Sequence, residues 1–266
     1  MDKTIPEKIE QADMVLVGIG EEFNNVRRFR QRKAYRKTEE ALNRSEAAWL
    51  LPAYESYCRG EKDHEVSDGL CRLAERLKDK NYFVVSVSTN DEVADVPWKE
   101  GRLVMPCGSW RGKQCARGCS DVLCKTGEED KKVLNHYFTV LEEKAQDEEE
   151  LPLWTQGAIG ICPVCGSPLV LNNIYADVYN EKGYLEQWET YRKWLQGTLN
   201  RKLLILELGV GLKFPSVIRW PFEKIAFFQQ KAEFYRVNEK LYQLSEELKG
   251  KGVSIAKNSI DWLQIL

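Results

Sequence analysis

Asp13-Met14-Val15-Leu16-Val17-Gly18-Ile19-Gly20 is the stretch on which the fold turns. An apolar run of this length, closed by glycines, is the pattern of a strand buried on both faces that ends in a tight turn. Two later segments repeat it. Residues 203–208 run into Gly209-Val210-Gly211, and residues 232–237 run into Asn238-Glu239. Residues 82–87 predict another strand, ending in Ser88-Thr89-Asn90-Asp91-Glu92, and 253–256 a last short one. Helical patterns fall between them at 5–12, 70–77, 183–199, 221–231 and from about 241 to Gly250-Lys251-Gly252, with a pattern before Pro52 broken near that residue. Strands alternating with helices predict an α/β protein whose parallel sheet is covered on both faces. In such sheets ligands bind at the carboxyl ends of the strands.

The chain has 266 residues, enough for one good core or for a core plus a small satellite domain. Its 39 Lys and Arg against 41 Asp and Glu leave a net charge of −2, which argues against a chain built to coat nucleic acid. No apolar run approaches the roughly 20 residues that span a bilayer. The longest, 203–212, is interrupted by Glu207. The segment Met1-Asp2-Lys3-Thr4-Ile5-Pro6-Glu7 lacks the apolar core of a signal peptide, so a cytoplasmic protein without membrane partners is expected.

Six of the eight cysteines fall between 107 and 165, where the composition changes and an acidic run, 147–150, appears. In a reducing compartment such clustering points to metal. Cys162-Pro163-Val164-Cys165-Gly166 places two thiolates where both can face one Zn²⁺, with a glycine to relieve the turn. Cys115-Ala116-Arg117-Gly118-Cys119 supplies the second pair, 42 residues upstream, and Cys124 is a spare ligand. The predicted zinc set is Cys115, Cys119, Cys162 and Cys165; the alternative is a group of free buried cysteines.

Gly18-Ile19-Gly20 follows a strand, as a phosphate-binding turn does. The third glycine of the dinucleotide fingerprint is absent, however, and Glu21-Glu22 is hostile to phosphate. A plain strand-to-helix turn is the competing explanation. The basic stretch 27–37, with Phe29 and Tyr35, reads either as phosphate contacts or as a solvated helix face. His64 and His136 lie in polar surroundings with no catalytic context.

Taken in order, these pieces resemble the sirtuin (Sir2) family of NAD-dependent protein deacylases. Val17-Gly18-Ile19-Gly20 is similar to the start of its Gly-Ala-Gly-Ile-Ser loop, and Phe29-Arg30 to the end of its Pro-Asp-Phe-Arg segment. Ser88-Thr89-Asn90-Asp91-Glu92 sits where the family has Thr-Gln-Asn-Ile-Asp, and Pro106-Cys107-Gly108-Ser109 where it has Leu-His-Gly-Ser. Cys162–Gly166 matches the second zinc knuckle, Gly209–Pro215 the late glycine loop, and Val237-Asn238-Glu239 the late Ile-Asn turn. The resemblance implies a Rossmann-like NAD-binding domain over 1–105 and 174–266, a zinc-binding module inserted at 106–173, and NAD in the cleft between them. It implies cofactor contacts from Gly18, Ile19, Gly20, Phe29, Arg30, Asn90, Glu92, Gly209, Val210, Gly211 and Asn238, with catalytic positions at Asn90 and Cys107.

The departures bear on chemistry. The family's general base is the histidine replaced here by Cys107. A thiol has a shorter reach and a reference pKa of about 8.5. Arg28 replaces the acid before Phe-Arg, and Val210-Gly211 replaces the Thr-Ser pair that the family sets against phosphate and ribose. The strand that pairs with an acyl-lysine peptide is hard to find in Leu169–Asn173. Three functions follow. One is sirtuin-type deacylation or ADP-ribosyl transfer with release of nicotinamide, the deacylase arm weak. The second is a catalytically degenerate sensor or interaction module for NAD or ADP-ribose. The third is a structural zinc protein with an empty cleft. Expected ligands and partners are Zn²⁺, NAD or ADP-ribose, and an acylated or ADP-ribosylated protein; no specific nucleic acid is expected.

Overall fold

The structure, a computed structural model, describes residues 4–60, 64–147 and 149–266. Residues 1–3, part of the segment read as leaderless, and Glu148 of the acidic run lie outside the described residues. Six parallel strands form the main sheet: β1 Met14–Ile19, β2 Asn81–Ser86, β3 Leu103–Val104, β7 Leu203–Leu208, β8 Ala232–Asn238 and β9 Gly252–Ala256. Their order is β3-β2-β1-β7-β8-β9, so β1 is central, with Val17 opposite both Val84 and Leu206. Every residue of β1 and β7 is buried, which is why β1 reads as an unbroken apolar run and β7 as one broken by the single Glu207.

Alternate residues of β1 serve two cores. Val15, Val17 and Ile19 pack in one core with α1 (Ile5–Gln11), α4 (Glu65–Leu77), the single-turn α5 (Glu92–Asp95) and α9 (Ser259–Leu263). Met14 and Leu16 face the layer of α7 (Leu185–Gln196) and α8 (Arg219–Phe228). Among the described residues, no helix is long and apolar enough to cross a membrane.

A second body stands over the carboxyl end of the sheet. It holds α2 (Lys33–Arg44), α3 (Leu51–Arg59), α6 (Glu128–Gln146) and an antiparallel sheet of β4 (Gly108–Cys115), β5 (Cys124–Lys125) and β6 (Leu169–Asn173) in the order β5-β4-β6. Its core joins Phe29, Tyr35 and Tyr54 to Phe138 and Leu171. Pro52 does end one pattern, but it also opens α3 from the first turn, where its missing N–H costs nothing.

The helix expected from 241 does not form; only a single 3₁₀ turn, Glu246–Leu248, appears there. Buried arginines explain the difference. Arg219 Nη2 donates to Leu241 O at 2.7 Å and Arg236 Nη1 to Gln243 O at 2.6 Å. Those carbonyls are thereby held in an extended path instead of turning into a helical ladder.

Candidate functional site

Four loops leave the carboxyl ends of β1, β2, β7 and β8 and meet beneath the second body. After β1 the chain makes a 3₁₀ turn, Glu21–Asn24, and passes through Asn25 in the left-handed conformation (φ 52°). Asn24 ties this turn to the β2 loop: its Oδ1 accepts from Ser88 Oγ at 2.7 Å and from the Thr89 N–H at 3.1 Å. Asn90 is held through both its side-chain oxygen and its nitrogen. Its Oδ1 accepts from Arg59 Nη2 at 3.0 Å and from the Glu92 N–H at 3.1 Å, and its Nδ2 donates to Phe23 O at 2.9 Å. Arg59, at the end of α3, is the hub of this corner. It also donates to Asn24 O at 2.9 Å and pairs with Asp91 at 3.7 Å and Glu92 at 3.6 Å, with its side chain 2% exposed. A cleft of about 640 Å³ opens beside it, with Asp91, Glu92, Trp110 and Phe138 in its walls.

The glycine turns pack against each other. A Cβ on Gly20 would fall 2.2 Å from Gly209 O and Val210 Cα, so the missing side chain at Gly20 admits the β7 turn itself. Gly209 adopts φ +63°, a conformation that favours glycine. Backbone amides at the ends of β7, β8 and β9 converge here, the arrangement that seats an anion. Three of them end on the chain's own carboxylates. Gly211 N donates to Glu21 Oε2 at 2.6 Å, and the Glu239 and Ser259 amides donate to the two oxygens of Glu22, each at 2.8 Å. Burial is the main reason that the Glu22 carboxyl titrates above its ordinary value. Val210 O accepts from Arg219 Nη1 and from Asn238 Nδ2, which fixes the late turn from below.

Cys107 lies at the β3 end, 2% exposed. Burial, and after it the Glu21 carboxylate, push its thiol up to about 12. Near neutral pH it is therefore an uncharged thiol and accepts no proton. On the facing side Lys213 Nζ donates to Tyr175 Oη at 2.8 Å. Glu55 on α3 accepts from Tyr35 Oη at 3.2 Å; burial raises its carboxyl to about 7 against the opposing pull of Arg59.

The four cysteines form a separate site at the far end of the second body. All four Sγ atoms lie within 4.8 Å of one another, with Cys115–Cys165 at 3.5 Å and Cys119–Cys162 at 3.4 Å. Tetrahedral zinc with Zn–S of about 2.3 Å sets sulfurs about 3.8 Å apart, so the donor set and its spacing fit. The left-handed glycines Gly118 and Gly166 turn the two knuckles, and Cys162 N donates to Ser167 O at 2.7 Å across the second. Cys124 stands apart on β5, paired with Lys113.

No protein-family profile matches the chain. Among curated proteins it is similar to a protein ADP-ribosyltransferase of Staphylococcus aureus, 20% identical over 198 residues. It is also similar to a probable bifunctional ADP-ribose hydrolase/ADP-ribosyltransferase of Fusarium oxysporum f. sp. cubense, 29% identical over 131 residues. These alignments cover 74% and 48% of this chain, and the chain spans 59% and 20% of those proteins. Among solved structures, a Sir2 homologue in complex with NAD aligns over all of this chain and 92% of its own, with TM-score 0.56 and 12% identity. Sir2Tm bound to a propionylated peptide aligns over 98% of this chain and 94% of its own, with TM-score 0.56 and 10% identity. The chain has the sirtuin fold.

On this sirtuin frame the residues singled out from sequence take different places. Gly20, Asn90, Glu92, Gly209, Gly211 and Asn238 meet at the strand ends. Ile19 points into the core beneath them, and a Cβ on Gly18 would strike Ile218 at 2.6 Å. Phe29 is buried, its ring 5.1 Å from that of Tyr35, while Arg30 is exposed. The basic stretch is partly engaged in ion pairs: Arg27 holds Asp261 with two bonds of 2.8 Å and Glu65 with one of 3.0 Å. Glu55, Arg59, Tyr175 and Lys213 were not singled out from sequence. Arg59 ends a helix just before Gly60, which is also an ordinary place for a surface arginine. Nothing in the sequence alone distinguishes the two.

Proposed function

We propose that this chain carries out sirtuin-type chemistry on NAD, transferring ADP-ribosyl to an acceptor with release of nicotinamide, and that acyl-lysine removal is its weak arm. The observation that carries this reading is Cys107: a buried, uncharged thiol in place of the imidazole that deacylation needs. The names of the two curated relatives support the transfer arm. Gly209 and Gly211 give a dinucleotide close backbone approach at the strand ends, where the Gly211 amide already carries Glu21 and the Glu239 and Ser259 amides carry Glu22. Gly209, Gly211 and Asn238 would hold its phosphate and adenosine side, and Asn90 with Glu92 its nicotinamide side. Bound NAD supplies an electrophilic ribose carbon and a leaving group.

The chain's own residues do the rest. Arg59 holds Asn90 and Glu92 in place through a side chain shut off from solvent. Glu55, raised to about 7, is matched to accept a proton near neutral pH. It is faced by Tyr35 and Glu39 from α2, Arg59 from its own helix and Lys213 from the β7 turn. As carboxylate is the accepting form, transfer should rise with pH through about 7. Glu55→Gln should flatten that limb; a variant that keeps it would exclude Glu55 as the acceptor. The compartment proposed is the reducing cytoplasm, where thiolates keep their metal.

The test is NAD supplied to wild type and to Cys107→His, with nicotinamide, acceptor-bound ADP-ribose and acyl-lysine peptide all followed. Wild type is expected to release nicotinamide and label an acceptor while deacylating weakly, and Cys107→His to deacylate about 10²-fold faster. Wild type that deacylates faster than it transfers would overturn the reading. The same buried thiol also favours a second one, a binding module without turnover. That reading wins if both proteins bind NAD and neither releases nicotinamide.

A further inference from the structure

The two carboxylates of the β1 turn are not equivalent. Glu22 commits both oxygens to the amides of Glu239 and Ser259 and lies against Gly209, whose Cβ would come 2.6 Å from Glu22 Cβ. It is a strut joining three loops. Glu21 commits one oxygen. Its Oε2 accepts from Gly211 N at 2.6 Å, while Oε1 is buried and has no hydrogen-bond partner among the described residues.

Position 211 shows what Glu21 displaces. A Cβ there would meet Glu21 Oε2, Cδ and Oε1 at 3.1, 3.2 and 3.3 Å, so the carboxylate lies over Gly211 in the space that a side chain would need. Glycine at 211 and glutamate at 21 are thus one packing solution. The amide is already satisfied by an anion, and that anion is covalently part of the chain.

We propose that Glu21 is a specificity-determining residue of the nucleotide seat, a built-in competitor that holds the Gly211 amide against phosphate. The proposal rests on the reading that the seat takes an NAD-derived nucleotide. One N–H cannot serve a carboxylate and a phosphate together, and the two like charges repel more strongly in a half-buried site than in water. A ligand gains the seat only by moving Glu21 aside. A bare pyrophosphate has nothing to offset that displacement. A nucleotide brings ribose and base contacts to the neighbouring turns, so the seat admits the whole nucleotide and rejects its anionic fragment. The free oxygen of Glu21 makes it the movable member of the pair, because leaving costs it one bond where Glu22 would break two.

The experiment is calorimetric titration of the full chain, as wild type, Glu21→Gln and Glu21→Ala, with ADP-ribose and with inorganic pyrophosphate. Thermal melting confirms that each protein is folded. Glu21→Ala is expected to bind ADP-ribose about tenfold tighter than wild type, or more, and to bind pyrophosphate where wild type shows none. Glu21→Gln keeps an acceptor on the amide and removes the charge, so it should fall between the two. It also keeps the test alive if the alanine variant fails to fold. ADP-ribose binding that is unchanged or weaker in the folded variants would overturn the proposal while leaving the nucleotide reading intact. Absence of ADP-ribose binding in wild type and variants alike would overturn that reading, and this proposal with it.

Discussion

Replacing Cys162 with Ser, or stripping the metal with a chelator, is expected to unfold the three-stranded sheet of the second body. Cys162 is 3% exposed and packs with Cys115 and Leu169, so its ligand position lies inside the module. Four thiolates drawn to within 4.8 Å repel one another unless a cation sits between them. Metal binding is then part of the folding free energy, worth on the order of 10 kcal/mol for small structural zinc units. Cys115 ends β4, and β4 pairs with β6 along one side and β5 along the other. Loss of the knuckle therefore loosens the whole sheet. One zinc per purified chain, and a chelator-sensitive first transition in urea, are the expected measurements. Purified, folded protein with well under one zinc per chain would sink the assignment.

The second large effect is expected at Glu207, one strand position before the β7 turn. Its carboxylate is wholly buried and receives Arg236 through two bonds, Nε to Oε1 at 2.6 Å and Nη2 to Oε2 at 3.0 Å. Arg219 lies 3.5 Å from the same carboxylate and reaches Val210 O and Leu241 O, while Glu223 takes Arg236 at 2.6 Å. Removing the carboxylate leaves two buried guanidiniums with one remaining carboxylate, Glu223. Glu207→Leu should cost about 3–5 kcal/mol, read as a fall in the urea midpoint. The paired change Glu207→Leu with Arg236→Met should cost much less, since it removes charge from both sides. Equal losses in the single and double variants would mean that the ion pair is not the source. Because this network holds the Gly209–Gly211 turn and the 239–243 path, the single variant should also weaken any ligand that uses that turn.

The four cysteines that cluster in the structure could be named from sequence because a knuckle is a local object. Two cysteines separated by two residues, with a glycine after them, already put both sulfurs on one side of a turn. The strands were legible for a related reason. A central strand of a parallel sheet is buried on both faces, so burial writes itself as an unbroken apolar run. The pairing of the two knuckles across 42 residues was a matter of inference, and the structure closes that gap with β5 and the 19 residues of α6.

Local pattern failed where a side chain from elsewhere competes for the backbone. The 241–250 segment carries a good helical pattern, yet arginines from α8 and β8 take two of its carbonyls. The site shows the same limit. Glu55 sits on an amphipathic helix like any surface glutamate, and only its burial in the folded chain, against the lowering pull of Arg59 and Tyr35, gives it a neutral-range pKa. Glu21-Glu22 reads as hostile to phosphate in sequence, which is right about charge. It does not show that one carboxylate is locked on two amides and the other held by one.

What the sequence by itself determined were the features encoded within a few residues: the apolar strands of the sheet, its glycine turns, the two cysteine knuckles, and a cysteine at 107 where the resembling sirtuin motif has histidine. Tertiary structure decided what those features do. It set Arg59 behind Asn90, buried the Cys107 thiol next to a carboxylate, and laid Glu21 over Gly211. Spacing along the chain constrains only neighbours. Charge state and ligand access depend on which distant groups share a buried volume, and that sharing exists only once the chain has folded.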